Sequence, residues 1–499
     1  MHMLLLPLLL TFLNLSQAQP PSDAPLSSTV CIIGAGIGGS SVAHFIRKYS
    51  PDLTPTTKIR VFERNTIVGG RIATVNVAGE TFEAGASILH PKNLHAVNYT
   101  KLLNLKAREP SSGFSLAIWD GNKFVFKTIE ISSNLPLFDK LLKLPFIENL
   151  VSLVNSGLMF VRYGFSLFKM QNFVQSAVGS FSKYYEDTGS RPIFETVDEM
   201  LKWAGLFNLT TRTLQDELVD AGLSPLLINE LVTVITRINY GQSVYMSGLG
   251  GAVSLAGSGG GLWSIEGGNR QMAVGLIDRS DVALHLNEGI KSVADLGDHY
   301  ELNSTKGNNY ICEVAVVATP LDEINIQFIP PISIPERKLQ HTHATFVRGL
   351  LNPVYFGLKA TAKIPDLVAT LEDPELPFTS ISVLKKHNEE ESTYKIFSRK
   401  PMADTLLNSI FSVRKETIRI DWAAYPQYHA PEIFAPFILD GRNLYYVNAF
   451  ENAASTMETS AVSAENIARL ILSRYFGKVS VHSSNLKASS QEEDAHLEL

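Results

Sequence analysis

Gly34, Gly36 and Gly39, with Gly38 between them, come directly after the β-branched run at 29–33 in the stretch VCIIGAGIGGSS. At this spacing the first glycine permits a tight turn and the second lets a pyrophosphate touch the backbone. The third lets a helix pack against the strand before it. The helix-compatible SSVAHFIRKY comes next, and its first amides would face the phosphate charge. A lone glycine fingerprint is weak, so the residues downstream of it decide. The next strand candidate, KIRVFER at 58–64, carries Glu63 24 residues after Gly39. There a carboxylate accepts hydrogen bonds from ribose hydroxyls and repels a 2′-phosphate. The extra length is the Pro/Thr-rich loop SPDLTPTT. Strand, turn, helix, strand and acid in that order favour a dinucleotide over a structural glycine turn.

A second glycine pair, Gly69-Gly70 followed by Arg71, lies a few residues past the acid. NAD-binding domains do not require it; read alone it is a hairpin turn before TVNVAGETFEAG. After an intact fingerprint it resembles the GGR element of FAD-dependent amine oxidases and phytoene desaturases, in which a second backbone loop and an arginine add phosphate contacts. Arg64, Gly70 and Arg71 thus join Gly34, Gly36, Gly38, Gly39 and Glu63 as cofactor-binding candidates. In the same group a Gly-Gly turn precedes the strand that returns to the adenine. LWSIEGGNRQMAVGLI and HLNEGIKSV match that pair, with Ile290 as the backbone contact. Residues 444–472 read as strand, polar turn and Ala/Ser-rich helix. The resemblance assigns the backbone of Met457 and Glu458, at the start of that helix, to the flavin end, where amide donors and the helix dipole stabilise an anionic reduced ring.

These elements imply an α/β fold, an FAD-binding Rossmann-like domain of the amine oxidase type. It is discontinuous, at 28–95, 258–320 and 435–475, with an inserted α+β substrate domain at 96–257 and 321–434. A chain of 499 residues with 45% hydrophobic residues has the core for two domains. Its net charge of -6, with no Lys/Arg block, removes the source of attraction for nucleic acid.

The apolar run at 3–15 followed by Ser16-Gln17-Ala18 reads as a secretory signal peptide cleaved after Ala18, being too short for an anchor. Sequons at Asn98, Asn208 and Asn303 fit a glycoprotein and place those segments on the surface. Cys31 and Cys312 sit in apolar strand-like runs and read as buried core thiols, leaving stability to core burial or a bound cofactor. No zinc-spaced Cys/His cluster, nucleophile elbow or P-loop is present. His341 and His343 alternate onto one strand face without a third ligand, so no metal is expected. The tail at 477–499 is polar and acidic, as disordered termini are.

Within the insert, residues 134–182 are apolar at helical spacing. The longest charge-free run, 149–161, is too short to span a bilayer. It reads as a buried helix pair, or as helices that line an apolar channel or lie on a membrane surface. The segments RINYGQS (237–243), GGAVSL (250–255), LWSIEGGN (262–269) and ENAASTME (451–458) resemble, in order and separation, the prenylcysteine oxidase family, its plant-type members most closely. The resemblance covers 28–475. It implies FAD-dependent oxidation of a prenyl thioether such as farnesylcysteine to free cysteine and a prenyl aldehyde, oxygen becoming hydrogen peroxide. The carbon between sulfur and the allylic double bond yields a hydride, because both neighbours share the resulting cation. Water then adds and the hemithioacetal collapses.

Such chemistry needs an apolar slot more than charged catalysts. A polar patch must meet the cysteine end, for which Arg237, Tyr240 and Arg348 are candidates. His90, after the glycine segment that approaches the ring in related oxidases, is a candidate for positioning water or substrate. Residues 421–432 (DWAAYPQYHAPE) read as a loop bridging the domains. The substrate's origin places the protein in a lysosome or vacuole, with peripheral membrane contact. The rival readings are another flavin amine oxidase or polyene desaturase, or a non-catalytic lipid-binding flavoprotein.

Overall fold

The computed structural model describes residues 28–54, 56–108, 115–129, 145–388 and 390–477. The signal-peptide reading, the tail beyond Gly477 and the first part of the apolar segment at 134–182 lie outside them.

The β-branched run becomes the strand Ser28–Ile33 at the centre of a five-stranded parallel sheet. Across it the order is Leu444–Tyr446, Val314–Val317, Ser28–Ile33, Thr57–Phe62 and Val282–His285. The register sets Ile33 beside both Val317 and Phe62. Val30 to Ile33 and Val314 to Val317 are buried throughout, because helices cover both faces of a parallel sheet and leave no polar side. The helices Ile37–Tyr49 and Met457–Arg474 pack on one another in this core. A second sheet of four strands is built from 290–329.

The insert contributes a seven-stranded sheet. Its long strands Phe411–Pro426 and Leu339–Leu351 pair at one edge, and Leu116–Trp119 and Phe124–Lys127 form the other. The chain at 145–256 is mostly helical, including Pro145–Tyr163 and Ser166–Phe181, as the helical spacing implied, and Leu158, Met159 and Val234 pack on Ile118, Phe126 and Ala369 of this sheet. Among the described residues no helix is long and apolar enough to cross a membrane.

Four expectations change. Cys31 and Cys312 are joined as a disulfide, with Cα atoms 5.9 Å apart across 281 residues of chain. The pairing arises when 309–317 docks beside the first strand, where the Glu313 amide donates to the Thr29 carbonyl at 3.0 Å. Nothing local to either cysteine signals it. Residues 421–426 are not loop but the end of the strand Phe411–Pro426, paired with 339–343; only 427–432 leave the sheet. Residues 96–102 and 181–206, assigned to the insert, supply Tyr99, Tyr184, Phe194 and Leu201 to the core of the parallel sheet. Finally, Asn98 and Asn208 are exposed, but Asn303 is half-buried within a strand paired on both sides. Its amide nitrogen donates to Ser292 Oγ at 3.1 Å and Glu301 Oε1 at 3.2 Å, so that sequon is not the open segment its spelling implied.

Candidate active site

Two backbone loops face one another at the carboxyl end of the parallel sheet. Gly69 donates its amide to the Ala35 carbonyl at 3.0 Å and bridges to Gly36. Gly34 adopts φ +108°, and a Cβ there would lie 2.6 Å from the Ala318 carbonyl oxygen. A Cβ on Gly39 would drive into the Gly34 carbonyl, while one on Gly38 would stand 3.1 Å from Val447 Cγ1. Gly36 differs. A Cβ there meets nothing closer than the Gly69 oxygen at 3.7 Å and Gly70 Cα at 4.0 Å. These are ordinary contact distances, so no neighbouring protein atom forbids a Cβ at Gly36, yet it has none. The helix Ile37–Tyr49 starts at this turn with no side-chain cap and no acid in its first turn, which leaves its first amides to an anion. Such a cradle fits the pyrophosphate of a flavin dinucleotide.

Glu63 closes one end. It is buried, and Oε2 accepts from the Ala35 amide at 3.1 Å while Oε1 accepts from Asn65 N at 2.9 Å and Nδ2 at 2.8 Å. Its own backbone bonds the turn after Val282–His285 through His285 and Glu288, at 2.9 and 2.8 Å. Exposed Arg64 flanks Gly289 in that turn. Ile290 comes next, buried, but it opens the four-stranded sheet; the strand that returns to the parallel sheet is Val282–His285, earlier than the sequence indicated. Glycine and asparagine in LNEG turn the chain between the two.

Arg71 departs from its expected role. Rather than reaching toward phosphate, Nη1 pairs with Glu451 Oε1 at 2.5 Å and donates to the Ala424 carbonyl at 2.9 Å. Glu451 also holds Arg337 Nη2 at 3.0 Å, Asn448 Nδ2 at 2.9 Å and Ser455 Oγ at 2.9 Å. Burial alone would raise its pKa, but Arg71 and Arg337 hold it at about 2. Arg71 therefore clamps the Gly69-Gly70 loop to the turn before the last helix. In that helix, Met457–Arg474, the Thr456 side chain accepts from the Thr459 amide, and the amides of Met457 and Glu458 lie outside the cap. The Glu458 carboxylate serves the fold. It accepts from His95 N at 2.7 Å and Ala96 N at 3.1 Å, at the start of the helix Leu94–Leu102, and from Tyr185 Oη at 2.8 Å.

Beside this turn three tyrosines form a wall. Tyr240 lies edge-on to Tyr425 and Tyr428, with centroids 5.0 and 5.2 Å away. Tyr240 Oη donates to the Ser455 carbonyl at 2.9 Å, and Tyr428 Oη accepts from the Ser455 amide at 2.7 Å. Burial pushes Tyr425 up to about 12, so it stays protonated. Of the three, only Tyr240 is a substrate candidate from sequence. Tyr425 and Tyr428 escape it because their segment reads as loop; a period-two check of 411–426 against its partner strand is the available signal. Tyr240 and Tyr428 belong to an apolar cluster that continues through Leu231, Val232 and Val174 to Tyr163, on the helix pair 145–181.

Other candidates do not converge here. Arg237 is enclosed, with Nη1 donating to the Thr370 carbonyl at 2.7 Å and to that of Leu371, and Nε 3.1 Å from Glu372. Arg348 is spent on Glu391. Neither guanidinium is left for a cysteine carboxylate. His90 Nδ1 accepts from the Lys92 amide at 3.0 Å, so this ring closes its own turn. His341 and His343 lie 3.0 and 3.7 Å from one carboxylate, Asp421, and no metal-binding group of three ligands exists among the described residues.

At the end of the strand Glu80–Glu83 lies a pair that sequence reasoning missed, half-buried Glu83 and buried Lys395. Glu83 Oε1 accepts from the Asn269 amide at 2.6 Å, and Oε2 is buried without a hydrogen-bond partner among the described residues. Burial raises its pKa to about 7. Lys395, lowered by burial to about 8, donates to the Glu83 carbonyl at 3.1 Å and lies over the Phe397 ring at 4.7 Å. Because Glu83 binds its proton more tightly folded than unfolded, its stabilising contribution is full below the unfolded value of 4.5 and is lost as pH rises to about 7. Thermal melts of Glu83→Gln at pH 4.5 and pH 7 are expected to lack this decline, while the wild type shows it; parallel slopes would refute the assignment.

A profile of the prenylcysteine lyase family matches residues 146–483, and one of an NAD(P)-binding Rossmann-like domain matches 32–101. The chain is 60% identical to a farnesylcysteine lyase of Arabidopsis thaliana over 491 residues, covering 98% of this chain and 96% of that relative. It is 35% identical to prenylcysteine oxidase 1 of Homo sapiens, covering 90% and 89%. Among solved structures it superposes on a cyclohexylamine oxidase of Brevibacterium oxydans with TM-score 0.57 and 16% identity, covering 90% of this chain and 100% of that one. A putrescine oxidase superposes with TM-score 0.56 and 12% identity, covering 90% and 99%. At these identities the two oxidases establish the fold.

Proposed function

The chain belongs to the prenylcysteine lyase family, and from that premise we propose that it is an FAD-dependent thioether oxidase that cleaves farnesylcysteine. The products are free cysteine, a prenyl aldehyde and hydrogen peroxide. The observation that carries the reading is the glycine turn Gly34–Gly39 with its uncapped helix start, held against the Gly69-Gly70 loop near a tyrosine wall and its apolar cluster. Bound at this turn, FAD would supply a hydride acceptor for the carbon next to sulfur and return the electrons to oxygen.

The chain's own residues bind and orient. The backbone at Gly34 to Gly39 and the first amides of the helix Ile37–Tyr49 would hold the pyrophosphate, and Glu63 would take the ribose hydroxyls. The amides of Met457 and Glu458, at the positive end of an 18-residue helix, would serve the flavin end. Tyr240, Tyr425 and Tyr428 wall the slot, and the cluster behind them takes the isoprenoid. Burying that chain is worth about 0.8 kcal/mol per methylene-sized group, enough to hold the thioether carbon in place. Water adds to the carbon next to sulfur to complete the hemithioacetal.

We place the protein in the secretory pathway, in a lysosome or vacuole, in contact with the lipid that delivers its substrate. The apolar leader, the exposed sequons Asn98 and Asn208 and the Cys31–Cys312 disulfide support that compartment. Mixing the holoprotein with farnesylcysteine without oxygen tests the reaction. The flavin absorbance band is expected to bleach within the mixing experiment and return on admitting air. A band unchanged by farnesylcysteine but bleached by a primary amine would overturn the reading in favour of an amine oxidase.

A further inference from the structure

We propose that the turn joining the helices Pro145–Tyr163 and Ser166–Phe181 is a docking element that seats in the interface of an anionic lipid bilayer. Its apolar side chains face solvent: Val161 is 85% exposed, Phe165 73%, Leu153 68% and Phe168 54%. Leu153 and Phe160, like Val154 and Val161, are seven residues apart and share one helix face, a strip about 10 Å long that ends at the turn. Gly164, at φ +60°, reverses the chain there. Around it the rings of Phe160, Phe165 and Phe168 meet edge-on or tilted, with centroids 5.4 to 6.2 Å apart. A contiguous exposed patch of this kind marks an interaction surface, whereas scattered apolar side chains do not.

Charge selects the occupant. Between 149 and 185 the sequence holds Arg162, Lys169 and Lys183 and no acid, in a chain of net charge -6. Arg162 is balanced by Glu230, through two contacts of 2.7 Å. Lys169 remains beside the turn, exposed, its ammonium donating to the Gly222 carbonyl at 2.8 Å, whereas Lys183 lies past the far end of Ser166–Phe181, about 24 Å along the helix. A second copy docking here by two-fold symmetry would set Lys169 close to its own counterpart, whereas anionic headgroups attract it. Because no described helix can cross a membrane, the contact is peripheral. The inner side of the same pair, through Tyr163 and Val174, belongs to the apolar cluster that ends at Tyr240 and Tyr428. The purpose of the contact, passing a prenyl chain from lipid to site, rests on the function proposed above; the contact itself does not.

Sedimentation of the flavin-loaded full chain with vesicles of phosphatidylcholine, with or without phosphatidylserine, tests the proposal without substrate. Binding is expected with phosphatidylserine and is expected to weaken as salt rises. The triple variant Phe160→Ser, Phe165→Ser, Phe168→Ser should partition roughly a hundredfold less while keeping its flavin. Lys169→Glu should abolish the phosphatidylserine preference and leave the fold intact, while Lys183→Glu, a helix length from the turn, should leave the preference unchanged. Failure of the wild type to sediment, or equal sedimentation of the triple variant, would overturn the proposal. So would a dimer in solution that the triple variant dissociates and that binds no vesicle. Since the vesicles carry no prenylcysteine, these outcomes are independent of the anaerobic bleaching.

Discussion

Gly36→Val is expected to yield a folded but colourless protein. A Cβ at this position meets the Gly69 oxygen at 3.7 Å and Gly70 Cα at 4.0 Å, ordinary contact distances, so the backbone itself does not exclude a side chain. What the side chain displaces is the pyrophosphate, whose approach to the backbone is the reason for glycine there. Flavin content after gel filtration should fall from stoichiometric to a small fraction, and turnover of farnesylcysteine should fall at least a hundredfold, on the order of 3 kcal/mol of lost binding. Gly39→Ala provides the contrast. Its Cβ collides with the Gly34 carbonyl, a backbone atom that cannot move aside, so that variant is expected to misfold instead of merely losing colour. Should Gly36→Val retain stoichiometric flavin, the nucleotide does not lie between these loops and the functional reading loses its basis.

Glu451→Gln is expected to cost about 3–5 kcal/mol of stability, the usual penalty for removing one partner from a buried ion pair. Glu451 is buried and neutralises Arg71 and Arg337 together. After substitution Arg337 keeps Asp322 at 2.8 Å, but Arg71 keeps only the Ala424 carbonyl. The Gly69-Gly70 loop then loses its clamp, so weaker flavin retention should accompany the lower urea midpoint. The pH dependence identifies the cause. A carboxylate held at about 2 contributes stability that is full above its unfolded value of 4.5 and is lost as pH falls through 2. Wild type and variant should therefore differ most at neutral pH and converge in strong acid, opposite in sign to the effect at Glu83. A constant gap from pH 7 to pH 2 would mean that packing, and not charge, accounts for the loss.

The two sites differ in how far the amino-acid order reveals them. The glycine turn was legible because its constraints are local: a positive φ, a close backbone approach and a succeeding helix all act within six residues of Gly34. Glu63, the second glycine pair and the start of the last helix were legible from their distances along the chain. The helical spacing of 145–181 was equally readable, since burial of one face repeats with the helix itself.

What remained hidden depended on segments meeting from far apart. Arg71 was legible as a residue but not as a partner of Glu451, because the two lie 380 residues apart and meet only when the last strand docks beside Val314–Val317. The same step aligns the Ser455 backbone between Tyr240 and Tyr428, and the docking of Val314–Val317 beside the first strand brings Cys312 to Cys31. The pair of Glu83 and Lys395 forms only where the long strands of the insert cover the hairpin at 74–83. A sequence states what each backbone segment can tolerate, and so it determined the nucleotide turn, its order of elements and the family. Which side chains share a buried space is set by the minimum of many long-range packing terms, none of them written in any one stretch, and that alone decided the clamp, the tyrosine wall and the disulfide.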